Sequence, residues 1–358
     1  MRIEFYAAIK TAEPFLPAGT VIAREQTYVH TFYKKEATAQ QPATSKEEGN
    51  LVAFSGPDFK ATFDKQSGLL TSYLYKKHEY ILNGQGPRPF FWRAPTDNDY
   101  GANLPVRLKA WKEASYQEPK AESFQVTPGS NATTVKVTYR FPQTEARWNI
   151  TYKIYASGVI KVDNRFMAEG DQAPMIPRVG LRMQLPESFT DLTYYGRGPK
   201  ENYRGRRTSQ FIGEYAIPVK DMYEPYVRPQ ENNHRTDIYW CALTDKTQRG
   251  LLLIADRTFE LNASNYPLES MDSGDTIDNG APRTEKTHHR HLTDPLPEKM
   301  VDLFIDYRMM GVGGDDSWGA TAHEPYLIRP GKENAIEYGF SLVPFDKKED
   351  YKYLIQQY

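Results

Sequence analysis

The sequence predicts an all-β protein, and three observations carry that expectation: short apolar runs that alternate with polar residues, turn residues between the runs, and almost no helical periodicity. The residue types agree. There are 25 tyrosines, 17 phenylalanines and 25 prolines in 358 residues, the mixture of strand formers and punctuation found in antiparallel sheets. Along the chain, residues 2–10 and 20–33 read as a few strands. Residues 34–50, which include ATAQQPATSKEEG, contain almost no large apolar side chain and read as a linker or a long solvated loop. Residues 133–141 follow as a strand. The clearest unit is 148–166, where Ile150, Tyr152 and Ile154 alternate with polar residues. Ala156, Ser157 and Gly158 then turn the chain, and Ile160 and Val162 continue the return strand of a hairpin. Further strands are expected at 179–184, 238–243, 250–255, 301–307 and 335–343, with one short helical turn around 109–114. Their irregular spacing excludes repeats and favours a large sandwich over a propeller.

Some 35 residues without a disulfide or metal seldom hold a domain, the limit lying near 40. Residues 1–47 are therefore expected to be the remnant of a domain plus a linker, with unpaired strand edges open to association. Residues 48–358 are expected to form the main domain. Lysine and arginine total 45 against 46 aspartates and glutamates, a formal net charge of −1. No overall basic field exists to hold nucleic acid or an anionic membrane, and neither partner is expected. Cys241 is the only cysteine, which excludes an intrachain disulfide and a cysteine-rich zinc site. The first ten residues lack a signal peptide's apolar centre, and no run reaches the roughly 18 apolar residues of a membrane span. A soluble chain is expected, with the compartment open between cytoplasm and periplasm.

One segment, MGVGGDDSWG at 310–319, sets Trp318 at the end of a turn rich in glycine and aspartate. Gly311, Gly313 and Gly314 permit positive backbone dihedrals, and Asp315 and Asp316 favour tight turns. A rigid turn that presents an indole suits stacking on a sugar ring or a partner surface, while local statistics favour burial. Acid-rich loops offer candidate carboxylates: Asp97 and Asp99 in FWRAPTDNDYG, Glu201 in GRGPKENYRGR, Glu231 in YVRPQENNHR, and Asp315 with Asp316. None has a diagnostic spacing. Asp97, Asn98 and Asp99 are turn formers that Arg93 or Arg197 could pair with, so loop-structuring roles are favoured for them. His288, His289 and His291 lack a fourth ligand of metal-site spacing, and no metal site is expected. A serine nucleophile elbow, a phosphate-cradling glycine loop and a dinucleotide fingerprint are absent.

Five strings occur in order: FWRAPTDNDYG (91–101), YYGRGPKENYRGR (194–206), DMYEPYVRPQENNHRTD (221–237), THHRHL (287–292) and MGVGGDDSWG. Together they resemble the carboxy-terminal part of the large bacterial β-galactosidases of glycoside hydrolase family 2. The resemblance runs from about residue 51 onward, and FDKQSGLLTSY at 63–73 is similar to the first strands of that region. The separate small subunit of two-chain β-galactosidases covers similar territory. The resemblance implies a large antiparallel β-supersandwich, like that of galactose mutarotases, preceded by the end of an immunoglobulin-like domain within residues 1–47.

For function, the resemblance implies the retaining hydrolysis of terminal β-D-galactosides by a complete enzyme. Such chemistry needs two carboxylates roughly 5 Å apart. In the family these come from a (β/α)8 barrel, whose alternating strand and helix pattern this chain lacks. No catalytic residue is therefore expected here, and no cofactor. The magnesium and sodium implied for the whole enzyme would be held by the barrel. What the resemblance assigns to this region is pocket shape: Trp318 as an apolar platform for the sugar, and a mobile flap near it at Gly101, Ala102 and Asn103. After Gly101 the sequence ANLPVR departs from the family's commoner pattern, and Pro105 limits backbone freedom. Arg93, Asp97, Asn98, Asp99, Glu201, Asn202, Asp315 and Asp316 are expected to structure loops. The expected partners are the barrel-bearing remainder or large subunit and the galactoside, in an oligomer when complete. Two other readings are a carbohydrate-binding or assembly module, and an aldose mutarotase using His234 with Glu231 or His323 with Glu324.

Overall fold

The computed structural model describes residues 2–28, 40–170, 174–272, 291–316, 319–331, 334–347 and 349–357. The chain divides into two compact units, Met1–Ala37 with Gln356–Tyr358, and Thr38–Ile355. In the first, strands Arg2–Ala8 and Val21–Tyr28 pair antiparallel as a two-stranded ribbon. Its side chains are mostly exposed, Phe5, Phe15 and Ile22 among them.

The second unit is all-β and antiparallel, as expected. Its described strands form a twelve-stranded and a five-stranded sheet. The hairpin at 148–166 is present as Ala146–Ile154 paired with Ile160–Ala168, and Thr133–Phe141 lies beside it. The remaining expected strands correspond to Arg178–Pro186, Arg235–Thr244, Gly250–Ser264, Met300–Met309 and Ile336–Phe345, the last starting one residue later than expected. Cys241 is fully buried on Arg235–Thr244, between Asp191–Gly198 and Gly250–Ser264. Lys109–Tyr116 is the helix expected around 109–114. One reading differs. Within the supposed linker, Thr44–Glu48 is a strand that pairs with Leu51–Ser55. All five of its residues are exposed, so no apolar alternation marks it, and its charges suit a sheet edge that must not recruit another chain.

The twofold period of the strands sorts side chains onto two faces. Trp148, Ile150, Tyr152 and Ile154 are fully buried on one face. There Phe91 meets Trp111, Phe141, Trp148 and Phe166 with ring centroids 4.9 to 5.7 Å apart. Phe63 of the smaller sheet packs edge-on against Tyr152 at 5.0 Å. This aromatic core anchors the chain on either side of residues 92–108, the segment that carries the first of the candidate loops. Among the described residues no helix is long and apolar enough to cross a membrane.

A strand that changes partners organises the rest. Gly250–Ser264 pairs with Ile336–Phe345 through Ala255 and with Met300–Met309 from Glu260 onward. The large sheet forks between these positions.

Candidate functional site

Thr96 begins the local architecture. Its hydroxyl accepts from the Asp99 amide at 3.2 Å, and the Asp99 carboxylate accepts from the Thr96 amide at 3.0 Å. This reciprocal capping box starts the helix Asp97–Gly101. The residues read as turn formers are thus helical, and T-x-x-D is the signal that the turn reading passed over. The same Asp99 carboxylate receives a bidentate bond from Arg93, Nε to Oδ2 at 3.0 Å and Nη2 to Oδ1 at 2.7 Å. Arg93 is 2% exposed and also donates to the carbonyls of Met310, at 2.6 Å, and Gly311, at 3.2 Å. One guanidinium therefore clasps the start of 310–319 to the helix. Arg197, the other arginine considered, pairs with Asp237 at 2.7 Å, and Asp97 faces Arg228 at 3.4 Å.

Two further contacts tighten the clasp. Asn98 Nδ2 donates to the Asp316 carbonyl at 2.9 Å. Gly319, at φ +120°, sits so close to Gly101 that an added Cβ would fall 2.4 Å from the Gly101 carbonyl carbon and 2.8 Å from the Ala102 nitrogen. Gly101 ends the helix, Ala102 caps it, and Asn103 adopts a left-handed conformation at φ 58° before the short helix Leu104–Arg107. Segments 101–103 and 310–319, singled out separately in the sequence, are thereby brought together. Trp318 itself lies outside the described residues. Asp315 and Asp316 are exposed; Asp315 meets His323 at 2.7 Å, and Asp316 Oδ1 accepts from the Ala320 amide at 3.1 Å.

Beneath these loops lies a buried polar layer that sequence reasoning missed. Arg178 and Gly180 on one strand face Met309 and Asp306 on the next, and Glu260 faces Asp306 from the other side. Asp306 fits only because residue 180 is glycine, where a Cβ would lie 1.8 Å from Asp306 Oδ1. Arg178 is fully buried. It reaches Asp306 Oδ2 at 3.3 Å and Glu231 Oε2 at 3.5 Å, and rests on the Phe304 ring at 4.2 Å. Neither Asp306 oxygen has a hydrogen bond. Burial, only partly offset by Arg178, pushes the Asp306 carboxyl up to about 7, and burial raises Glu231 as well. Glu260 contrasts with both. Burial would raise it, but His234 Nε2 at 3.0 Å, Arg204 Nε at 2.7 Å and the Met309 amide at 2.7 Å hold it below the ordinary range. His234 thus takes Glu260 as its carboxylate partner, while Glu231 serves Arg178 and Asn262.

Glu201 and Asn202 are both tied into the loops around this layer. Glu201 accepts from Arg206 at 2.5 Å, from the Asn233 amide at 2.7 Å and from the Tyr226 hydroxyl. Asn202, fully buried, donates to the carbonyls of Arg197 and Lys200 and accepts from the amide and hydroxyl of Thr236. Among the described residues no group of three or more His, Cys, Asp or Glu could hold a metal ion; His288 and His289 lie outside them. Of residues 265–283, those at 265–272 are described, and Glu269 there forms a bidentate pair with Arg182 at 2.6 and 2.7 Å.

Among solved structures, the chain is similar to a galactose 1-epimerase from Lactobacillus acidophilus, with a TM-score of 0.43 and 7% identity over 86% of this chain and 99% of that one. It is also similar to a GalM/aldose epimerase homologue from C. elegans, with a TM-score of 0.40 and 8% identity over 81% and 96%. In sequence it is 33% identical to a β-galactosidase of Priestia megaterium over 291 residues, 81% of this chain and 26% of that protein. The β-galactosidase of Streptococcus thermophilus is 28% identical over 330 residues, 91% and 30% respectively. The chain thus spans between a quarter and a third of the length of these relatives. Residues 55–342, most of the chain and all of the loops and strands that build this site, match the family described as beta galactosidase small chain, and the chain belongs to that family.

Proposed function

We propose that this chain is the part of a retaining glycoside hydrolase family 2 β-galactosidase that completes the sugar pocket from outside the catalytic barrel. The observation that carries this reading is the clasp. Arg93, Asn98 and Gly319 bind the 310–319 loop to the 97–103 segment at defined points, which is what a loop presenting a sugar platform requires. In this reading Trp318 stacks on the galactoside, and Gly101, Ala102 and Asn103 border the same pocket. The two catalytic carboxylates, and the magnesium and sodium sites, belong to the barrel-bearing part with which the chain assembles. The chain itself supplies apolar surface, shape and exclusion of water.

The test uses the assembled enzyme. Trp318→Ala should weaken galactoside binding by about 1 to 3 kcal/mol, in line with other aromatic stacking contacts, read as a rise in KM and in the Ki of a galactose-based inhibitor. Unchanged affinity for both removes the platform role. The chain alone should not hydrolyse a chromogenic β-galactoside; turnover that co-purifies with it would place catalytic groups within it.

A further inference from the structure

The fork in the large sheet opens a cavity of about 820 Å³ that the proposed galactoside pocket does not use. Its origin is topological. Where Gly250–Ser264 leaves one neighbour for the other, residues 256–259 pair with neither, and the ends of Met300–Met309 and Ile336–Phe345 splay apart. The Tyr338 hydroxyl bridges the gap to the Ile305 carbonyl at 3.1 Å. Polar side chains from five strands line it.

The charges in the cavity are unequally matched. Asp163 and Asp256 meet Lys161, Glu337 meets Arg165 at 3.5 Å, and Arg204 is committed to Glu260. Among the described residues the exposed Arg257 and the half-buried Arg308 have no carboxylate partner, and Arg308 is the more enclosed. Its Nε is buried without a hydrogen bond, its guanidinium sits 5.0 Å from the Tyr307 ring, and burial together with Arg204 holds its basicity below the ordinary level. Asn164 is 4% exposed; its Oδ1 accepts from Trp148 at 3.0 Å, and its Nδ2 is unpartnered. Buried donors without acceptors are unusual in folded proteins, and one that lines a cavity can take its acceptor from a ligand.

We propose that this cavity binds a monosaccharide-sized polyol carrying a single carboxylate, a hexuronate in its simplest form. Arg308 takes the carboxylate, for which a planar guanidinium fork is the matching shape. The Tyr307 and Tyr338 rings, 6.1 Å apart, offer faces for the sugar, and the cavity carboxylates accept from its hydroxyls.

Titration calorimetry of the full chain with galacturonate, galactose and inorganic phosphate decides the matter. Saturable galacturonate binding that weakens about tenfold in Arg308→Met, the loss of one charge-assisted contact, and recovers in part in Arg308→Lys supports the proposal. Asn164→Asp, which adds a repelling charge and keeps the acceptor for Trp148, should weaken it too; far-ultraviolet dichroism and melting temperature verify that each variant is folded. Equal binding of galactose, equal binding of phosphate, binding indifferent to Arg308, or no saturation by galacturonate overturns it.

Discussion

Arg93 and Arg178 are both buried arginines, one 2% exposed and the other fully enclosed, yet they are used in opposite ways. Arg93 spends its donors on a bidentate carboxylate and two carbonyls, at distances down to 2.6 Å. Arg178 has two carboxylates near it, at 3.3 and 3.5 Å, while its Nε and Nη1 and both oxygens of Asp306 make no hydrogen bond. A buried charge is held firmly when geometry satisfies it and destabilises when it does not. The first arginine fastens two loops. The second sits in a layer whose protonation is unsettled.

The comparison breaks most readily at Arg93. Arg93→Met should destabilise the chain by about 3 to 5 kcal/mol, because it leaves Asp99 buried and unpaired and frees two carbonyls; urea unfolding measures it. A loss under about 1 kcal/mol, the value of one ordinary hydrogen bond, would mean that the clasp is dispensable. Asp306→Asn probes the other arginine. The Asp306 carboxyl titrates near 7 when folded and near 4 when unfolded. The unfolded chain therefore loses this proton first, and the group's contribution to stability falls as pH rises from about 4 to 7, by an amount of order 4 kcal/mol. The asparagine variant should thus gain on the wild type between pH 4.5 and 8 in urea midpoints. A constant difference would mean that Arg178 keeps Asp306 ionised.

Smaller effects sharpen the clasp. Gly319→Ala places a methyl against the Gly101 backbone at a positive φ, and should cost about 1 to 3 kcal/mol by overpacking and strain, with faster proteolysis in 310–323. Unaltered stability and protection would show that the two segments move independently. Asn98→Ala removes one exposed hydrogen bond and should lower stability by only about 0.5 kcal/mol. A larger loss on thermal melting would make Asn98 a second fastener.

Much of the main sheet was legible because its strands bury one face. Thr133–Phe141 and the hairpin after it alternate strictly, and water sorts such a pattern into inside and outside. The buried polar layer obeys the same alternation and for that reason was not legible. Arg178, Gly180 and Arg182 alternate with Val179, Leu181 and Met183, as in a strand with one wet face, yet residues 178–183 are all buried. Loops far along the chain cover that face. Local period cannot report such a cover, nor the pairing of His234 with Glu260, which are 26 residues apart. The Thr96 capping box was a local signal, hidden because Asp and Asn serve turns as readily as helix starts. Thr44–Glu48 offered no signal, since an edge strand with every side chain in water has no period of burial to show.

The single cysteine has a practical consequence. Cys241 lies on a strand paired on both sides, and burial pushes its thiol's acidity far from the physiological range. Only the thiolate attacks a disulfide reagent, so modification must wait until the strand between Asp191–Gly198 and Gly250–Ser264 is released. The rate at which the native chain is labelled, compared with that of a free thiol, therefore reads the free energy of opening at the middle of the sheet. The chain carries its own clock for that event, with no residue added.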